Sequence, residues 1–171
     1  MREWREETFL RGSINRLFQL LARMLPGSQT IRVKLHRARG VHIGRDVFIS
    51  EDVILETARP ELITIEDRVS IGIRTLIIAH FRELNDGVRI ESDVFVGPGV
   101  IILPNVIIGR GAVVAAGSVV TRSVPPMTMV QGNPAVPVAR CEVPLSPDVD
   151  QKEFSRRLKP LGIRAGIKRQ N

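Results

Sequence analysis

A six-residue period dominates the middle of the chain. From Ile90 onward, every sixth residue is a branched aliphatic, and a second row of small or β-branched residues lies four positions later. This period fits neither an amphipathic helix nor a long alternating strand. It predicts coils of short strands joined by tight turns, with the aliphatic row filling the interior. The aliphatic row consists of Ile90, Val96, Ile102, Ile108, Val114 and Val120.

The same period occurs earlier in the chain, where two segments interrupt it. Branched aliphatics are in phase across residues 43–55 and again across 65–77. The interruptions are "TARPE" at 57–61 and "FRELNDGVR" at 81–89. Twelve units at three units per coil predict about four coils. Because the interruptions break the phase, we expect both to loop out of the coil and to border a binding site.

The segments that flank the repeat are predicted to be helical. Within residues 1–30, an amphipathic helix ends at Pro26 and carries one apolar face. Two interpretations of this helix stay open: it caps the open end of the coil or contacts another subunit, or it lies on an anionic membrane surface through residues 8–25. Residues 141–171 predict a short helix capped by Ser146, followed by a basic tail. The apolar face of the first helix contains Leu10, Ile14, Leu17, Phe18, Leu21 and Leu25.

Positive charge is concentrated at the two ends of the chain. Residues 1–39 carry a net charge of +6 and residues 146–171 carry +4, whereas residues 40–145 carry −3. No aromatic platform or groove-reading helix accompanies the basic ends, so we do not expect a nucleic-acid partner. The single cysteine, Cys141, excludes an intrachain disulfide and suits a reducing compartment. With neither a membrane-span pattern nor a signal-peptide layout, we predict a cytoplasmic protein, either free or peripheral on the inner face of the membrane.

The closing repeats resemble a known family. The stretch "VGPGVIILPNVIIGRGAVVAAGSVVTRSVPPMTMVQGNPAVPVAR" is similar to the hexapeptide-repeat acyltransferases, and most similar to the O-acetyltransferases of galactosides, maltose and bacterial polysaccharides. The resemblance implies a left-handed parallel β-helix over residues 31–140. It also implies a homotrimer in which acetyl-CoA lies between neighbouring coils. Apolar residues that alternate outward along the coil favour association as well. They are Phe95, Ile101, Ile107, Val113 and Val119.

The resemblance places the family's catalytic histidine at His80. An imidazole with a near-neutral pKa takes the proton of the acceptor hydroxyl and then protonates the leaving thiolate. The group that orients this histidine stays open among Glu83, Asp86, Asp93 and a backbone carbonyl. The three histidines of the chain do not form the converging ligand set that zinc requires, so no metal is expected.

Further positions match the donor-binding residues of the family. Thr121 and Arg122 stand where relatives reach the phosphates of the nucleotide, and Arg122 suits phosphate. Pro98 is a departure, because it has no N–H at a position where some relatives supply one near the thioester. The matched positions are Phe95, Gly97, Ala116, Gly117, Thr121 and Arg122.

These observations predict an acetyl-CoA-dependent O-acetyltransferase that acts on a sugar, in the synthesis of a surface polysaccharide or another glycan. Two alternatives stay open. One is an N-acetyltransferase for a nucleotide-linked amino sugar, and the other is a non-catalytic β-helix that serves as a scaffold subunit. His80 and Arg122 argue against a scaffold, since a scaffold needs neither.

Overall fold

A computed structural model of the chain describes residues 8–81, 86–146 and 149–162. It contains three helices, a short 3-10 turn at Pro60–Leu62 and fifteen strands. The helices are α1 (Phe9–Met24), α2 (Ile31–Ala38) and α3 (Gln151–Arg156). The strands are β1 (His42–Ile43), β2 (Phe48–Ile49), β3 (Ile54–Leu55), β4 (Ile63–Ile65), β5 (Ser70–Ile71), β6 (Leu76–Ile77), β7 (Val88–Ile90), β8 (Phe95–Val96), β9 (Ile101–Ile102), β10 (Val106–Ile108), β11 (Val113–Val114), β12 (Val119–Val120), β13 (Thr128–Gly132), β14 (Ala135–Cys141) and β15 (Leu158–Pro160).

The first twelve strands form a parallel solenoid with three faces. Face A contains β1, β4, β7 and β10, and face C contains β3, β6, β9 and β12. Face B contains β2, β5, β8 and β11, and is continued by β13, β14 and β15. Every pair among the first twelve strands is parallel and in register, so each coil adds one strand to each face. The parallel β-solenoid predicted from the six-residue period is therefore confirmed.

The interior of the solenoid is the aliphatic row that the period predicts. Its members from Ile49 onward are 0 to 1% exposed and stack from one coil to the next, while Ile43 in the first coil is half-buried. The second row of small and β-branched residues is also buried and fills the corners. Stacked burial of this kind gives the coil a continuous core without large aromatic side chains. The buried members of this row include Ile49, Leu55, Ile65, Ile71, Ile77, Ile90, Val96, Ile102, Ile108 and Val114.

Helix α1 begins and ends close to its predicted bounds, but its buried face is not the apolar one. Gly12, Asn15, Gln19 and Ala22 are buried against the open end of the coil, whereas large apolar residues of the helix are exposed. The helix thus caps the coil through small and polar residues. Helix α2 packs beside it, although residues 31–38 were predicted to belong to the coil. None of the described helices combines the length and the apolar character needed to cross a membrane.

The segment after the solenoid folds back over face B. Strands β14 and β15 extend this face in antiparallel pairs, and Phe154 of α3 packs with Val113 and Cys141. Val113 therefore has its partner within the chain, although its outward direction favoured contact with another subunit. The prediction that Ser146 caps the last helix is wrong, because α3 begins at Gln151, directly after Asp150. The predicted basic tail falls on residues 163–171, which lie outside the described ranges.

Candidate active site

His80 lies at the corner where the chain leaves face C for face A. It follows β6 by three residues, and its side chain is 22% exposed. Its Nδ1 atom lies 2.8 Å from Oε2 of Glu56, a carboxylate that is 5% exposed. Glu56 follows β3, which pairs with β6 in the register Leu55 to Ile77. The stacking of two successive coils therefore brings the carboxylate against the imidazole.

The surroundings of Glu56 hold its side chain as an ionised acceptor. Its Oε1 accepts a hydrogen bond from the backbone N–H of Ala58 at 2.9 Å, and its Oε2 accepts one from Ala79 at 3.2 Å. Burial by itself raises the pKa of Glu56, but hydrogen bonds from Ala58, His80 and Ala79 outweigh it, so the pKa lies below its ordinary value. An ionised carboxylate only accepts, so the proton between the two side chains belongs to Nδ1 of His80. In the neutral ring, Nε2 then carries the lone pair.

The backbone that carries Glu56 is fixed by the helical cap. The buried guanidinium of Arg39 donates to the carbonyl of Glu56 at 2.7 Å and to that of Leu55 at 3.1 Å. Asn15 of α1 donates through Nδ2 to the carbonyl of Thr57 at 2.8 Å. Each of these bonds is made by a side chain that is 3 to 5% exposed, so solvent does not compete for it. The position of the carboxylate therefore depends on α1 and α2 as well as on the coil.

Two of the predicted donor-binding residues share the edge of the solenoid with His80. Thr121 follows Val120, which stands two strands from Ile77 in face C. Adjacent strands are about 4.8 Å apart, so Thr121 lies about 10 Å along the solenoid from the level of His80. Thr121 and Arg122 are both exposed. This edge, which we call the C–A edge, therefore presents the imidazole of His80 and the guanidinium of Arg122 along one line.

The other predicted residues lie elsewhere on the same chain. Gly97, Ala116 and Gly117 occupy turns between face B and face C, which we call the B–C edge. Phe95 is half-buried in β8 on face B, against the cluster that contains Phe154. Face C separates this edge from the C–A edge, so one chain does not gather all the predicted residues. A single site that contains all the predicted residues therefore requires a C–A edge and a B–C edge to lie next to each other.

Glycine is favoured for different structural reasons at the two positions on the B–C edge. A Cβ atom on Gly97 would lie 2.6 Å from the backbone nitrogen of Ala116, so close stacking of the coils excludes a side chain there. Gly117 has a φ of +69°, which favours glycine, and faces open space. Only Gly117 therefore leaves room beside the coil for an extended ligand.

The backbone amides at the B–C edge identify one available donor. Pro98 has no N–H, and the N–H groups of Gly97, Gly99 and Gly117 donate to carbonyls of the coils at 2.8 to 2.9 Å. Within the described part of the chain, the N–H of Ala116 makes no such bond. Ala116 is exposed at this edge, which makes its N–H the candidate donor to a ligand carbonyl.

The sequence predictions did not identify Glu56 as the partner of His80. Of the carboxylates considered, Asp93 is bound to Arg68 at 2.7 Å, and Glu83 lies outside the described residues. The backbone N–H of Asp86 donates to Oδ1 of Asn105 at 2.8 Å. The repeat did contain a signal for Glu56. When three six-residue units are counted per coil, the last unit of the first coil aligns with the last unit of the second, and Leu55 therefore lies beside Ile77. Across the described ranges, no three His, Cys, Asp or Glu side chains are grouped to hold a metal ion.

Comparisons with known proteins agree with this fold. The family model described as bacterial transferase hexapeptide (six repeats) matches residues 87–122. A Schizosaccharomyces pombe protein described as an acetyltransferase is 36% identical over 114 residues, which cover 60% of this chain. The chain spans 54% of the length of that curated relative.

Two solved structures show the same architecture. A hexapeptide-repeat acetyltransferase of Vibrio cholerae, solved in complex with acetyl coenzyme A, has a TM-score of 0.62 and 27% identity, covering 77% of this chain and 87% of that chain. A serine acetyltransferase of Neisseria gonorrhoeae has a TM-score of 0.55 and 26% identity, covering 79% of this chain and 54% of that chain.

Proposed function

We propose that this chain, a member of the hexapeptide-repeat acyltransferase family, transfers an acetyl group from acetyl-CoA to a hydroxyl group of a sugar. The observation that carries the proposal is the pair of His80 and Glu56, in which a buried carboxylate holds a partly exposed imidazole at 2.8 Å. A non-catalytic scaffold has no need of such a pair. The donor is proposed from the similarity to an acetyltransferase solved with acetyl coenzyme A.

The proposed reaction uses His80 as a general base. With Nδ1 donating to Glu56, Nε2 accepts the proton of the acceptor hydroxyl as its oxygen attacks the thioester carbonyl. The new C–O bond forms, the C–S bond breaks, and the proton on Nε2 passes to the leaving thiolate. The products are the acetyl ester and free CoA. Glu56 orients the ring and remains ionised, so it acts as a positioning residue.

We propose that the complete site forms between two subunits of a homotrimer. One chain would supply the C–A edge with His80, Thr121 and Arg122, and its neighbour would supply the B–C edge with Ala116 and Gly117. The separation of these edges within one chain supports this arrangement. The pantetheine arm would then lie beside Gly117, and the N–H of Ala116 would donate to the donor. Arg122 would bind a phosphate of the nucleotide.

The proposed sugar acceptor would approach from the side of the interrupting segments. Phe81 follows His80 directly and is 60% exposed, so it offers a flat apolar surface beside the base. The segment that follows Glu56 contains the half-buried Glu61, and we propose that it supplies polar groups to the same side. Hydroxyl groups of a sugar match such mixed apolar and polar surroundings. In the proposed role, the acetylated sugar is part of a surface polysaccharide or another glycan.

The test is an acetyl-transfer assay that follows release of free CoA with a panel of acceptors. The panel contains galactosides, maltose, a nucleotide-linked amino sugar and L-serine. We expect a sugar hydroxyl to give the highest kcat/KM. The His80→Ala variant should lose about 10²- to 10⁴-fold in kcat while it keeps its fold, which is the usual contribution of a general base. Activity on the amino sugar alone, or on serine alone, would show that the proposed acceptor is wrong and would leave the proposed role of His80 unchanged.

The Glu56→Gln variant separates orientation of the imidazole from folding. We expect kcat to fall by at least about tenfold, with KM for acetyl-CoA unchanged, since the neutral amide no longer fixes the tautomer of His80. Glu153→Gln is the matched control, because this carboxylate is 49% exposed on α3 and pairs with Arg157, the residue that follows the helix. Full activity in the His80→Ala variant would refute the mechanism. Undetectable binding of acetyl-CoA by the wild type in calorimetry would refute the donor.

A further inference from the structure

The outward side of α1 is a large apolar surface that no other part of the described chain covers. Phe9, Leu10 and Met24 are 90%, 70% and 76% exposed, and three further aliphatic residues are 45 to 51% exposed. At 100° per residue, all of them fall on one half of the helix, opposite the buried polar positions. A contiguous surface of this kind marks an interaction site rather than scattered exposed residues. We call it the outer apolar face of α1, defined as Phe9, Leu10, Ile14, Leu17, Leu20 and Met24.

The inner side of α1 fixes the direction of this face. Gln19 donates through Nε2 to the carbonyl of Val53 at 2.9 Å, and Asn15 donates to the carbonyl of Thr57. Arg39 donates to Asn15 at 2.9 Å and also to Gln19. Rotation of the helix to bury its leucines would break this buried network and leave its polar groups unpaired. Within residues 8–81, 86–146 and 149–162, the outer apolar face therefore has no partner.

The charge around this face identifies the kind of partner. Residues 8–40 contain no aspartate or glutamate, while Arg and Lys occur throughout. Arg11 and Arg16 lie at the two borders of the apolar half of α1, and Lys34 and Arg37 are exposed on the neighbouring α2. A second copy of the chain would bring like charges together around the contact. An anionic lipid surface provides both an apolar interior and compensating negative charge.

We propose that the outer apolar face of α1 binds the surface of an anionic lipid bilayer, with the helix axis parallel to the membrane plane. This inference is independent of the acetyl-transfer reaction, since it uses none of the residues assigned to the site. Because α1 closes the open end of the coil, the solenoid would stand on the membrane by that end. The apolar side chains would enter the interface, and Arg11 and Arg16 would remain at the level of the phosphates.

The test is co-sedimentation of the full chain with lipid vesicles. One set of vesicles is phosphatidylcholine alone, and the other contains about 30 mol% phosphatidylglycerol, both at about 0.1 M salt. We expect binding to the anionic vesicles. The Arg16→Gln variant should bind them about fivefold less tightly, which is the effect of one cation near the surface. The Leu17→Gln variant should bind about tenfold less tightly, because a leucine side chain no longer enters the interface.

Val136→Gln is the matched control, since Val136 is 48% exposed on β14 and Leu17 is 51% exposed on α1. Glutamine is a good helix former, so Leu17→Gln should preserve the fold. Equal binding to neutral vesicles, or an equal loss in Val136→Gln, would overturn the proposal. So would a smaller oligomer of Leu17→Gln in sedimentation velocity without lipid, because the face would then be occupied by a second copy.

Discussion

A buried histidine in the cap predicts that the protein loses stability in mild acid. His36 of α2 is 0% exposed, and its Nδ1 lies 3.1 Å from a guanidinium nitrogen of Arg39. Burial, and after it the positive charge of Arg39, lower the pKa of His36 from 6.5 to about 3. The unfolded chain therefore binds a proton at this residue below about pH 6.5, while the folded chain does not. Stability is then highest above this pH and falls as the pH is lowered toward 3.

The expected loss follows from these two pKa values. Between about pH 7.5 and about pH 5, proton uptake by the unfolded chain lowers the free energy of unfolding by about 2 kcal/mol. This change in the free energy of unfolding depends little on the pKa of His36 in the folded protein, because a pKa of about 3 leaves the ring neutral at pH 5. The lowered pKa values of the carboxylates, with ordinary values of 3.8 and 4.5, act mainly below this window.

Urea unfolding at both pH values measures the effect, at one protein concentration because the proposed trimer would also be stabilised by mass action. In His36→Gln the side chain stays neutral, so the difference between the two pH values should shrink by about 2 kcal/mol. The NMR titration of the His36 ring in the wild type is a second measurement that needs no variant. A titration midpoint near 6.5, or a pH dependence that His36→Gln retains in full, would refute the reasoning.

Three further predictions concern the packing that positions the site. Arg32 is 2% exposed, so Arg32→Ala should lower the free energy of unfolding by about 3 kcal/mol in the same urea assay. The control is Arg45→Ala, which should change it by less than about 1 kcal/mol because the side chain of Arg45 is 84% exposed. Gly97→Ala places a Cβ 2.6 Å from the nitrogen of Ala116, so the free energy of unfolding measured by calorimetry should fall by about 1–3 kcal/mol. Phe154→Ala should cost about 3 kcal/mol, and an unchanged melting temperature would contradict the packing of α3 on face B.

The solenoid could be predicted from the sequence because one rule generates it. Within each repeat segment, every sixth residue is an aliphatic that points inward. The observed register pairs Ile71 with Val96 and Val96 with Val114. Interior residues that pair on one face are eighteen positions apart where the repeat is uninterrupted, twenty-two across the first interruption and twenty-five across the second. The same register also places Leu55 beside Ile77 and brings Glu56 near His80. That contact was predictable in principle, but the sequence analysis considered only carboxylates that follow His80 in the chain, and Glu56 precedes it.

Other parts of the structure had no signal of this kind. The contact of Phe154 with Val113 joins segments with different periods, so no repeat predicts it. The direction of α1 was also not predictable, because an amphipathic helix is expected to bury its apolar face. The sequence identifies that face correctly but does not show which side meets the coil. The separation of Gly117 and Arg122 onto two edges follows only once the strand order is known.

The burial of the polar face of α1 follows from the hydrogen bonds of the coil itself. The N–H groups of the first coil donate forward, as that of Glu56 does to the carbonyl of Ile77, so carbonyls of the first coil receive no donor from a preceding coil. Gln19 supplies a donor to Val53, and Arg39 supplies one to Glu56. A cap made of leucines would leave each such carbonyl unpaired at a cost of about 1–3 kcal/mol. The need to pair these carbonyls therefore turns the apolar face outward and, through the same side chains, fixes the carboxylate that orients the proposed base.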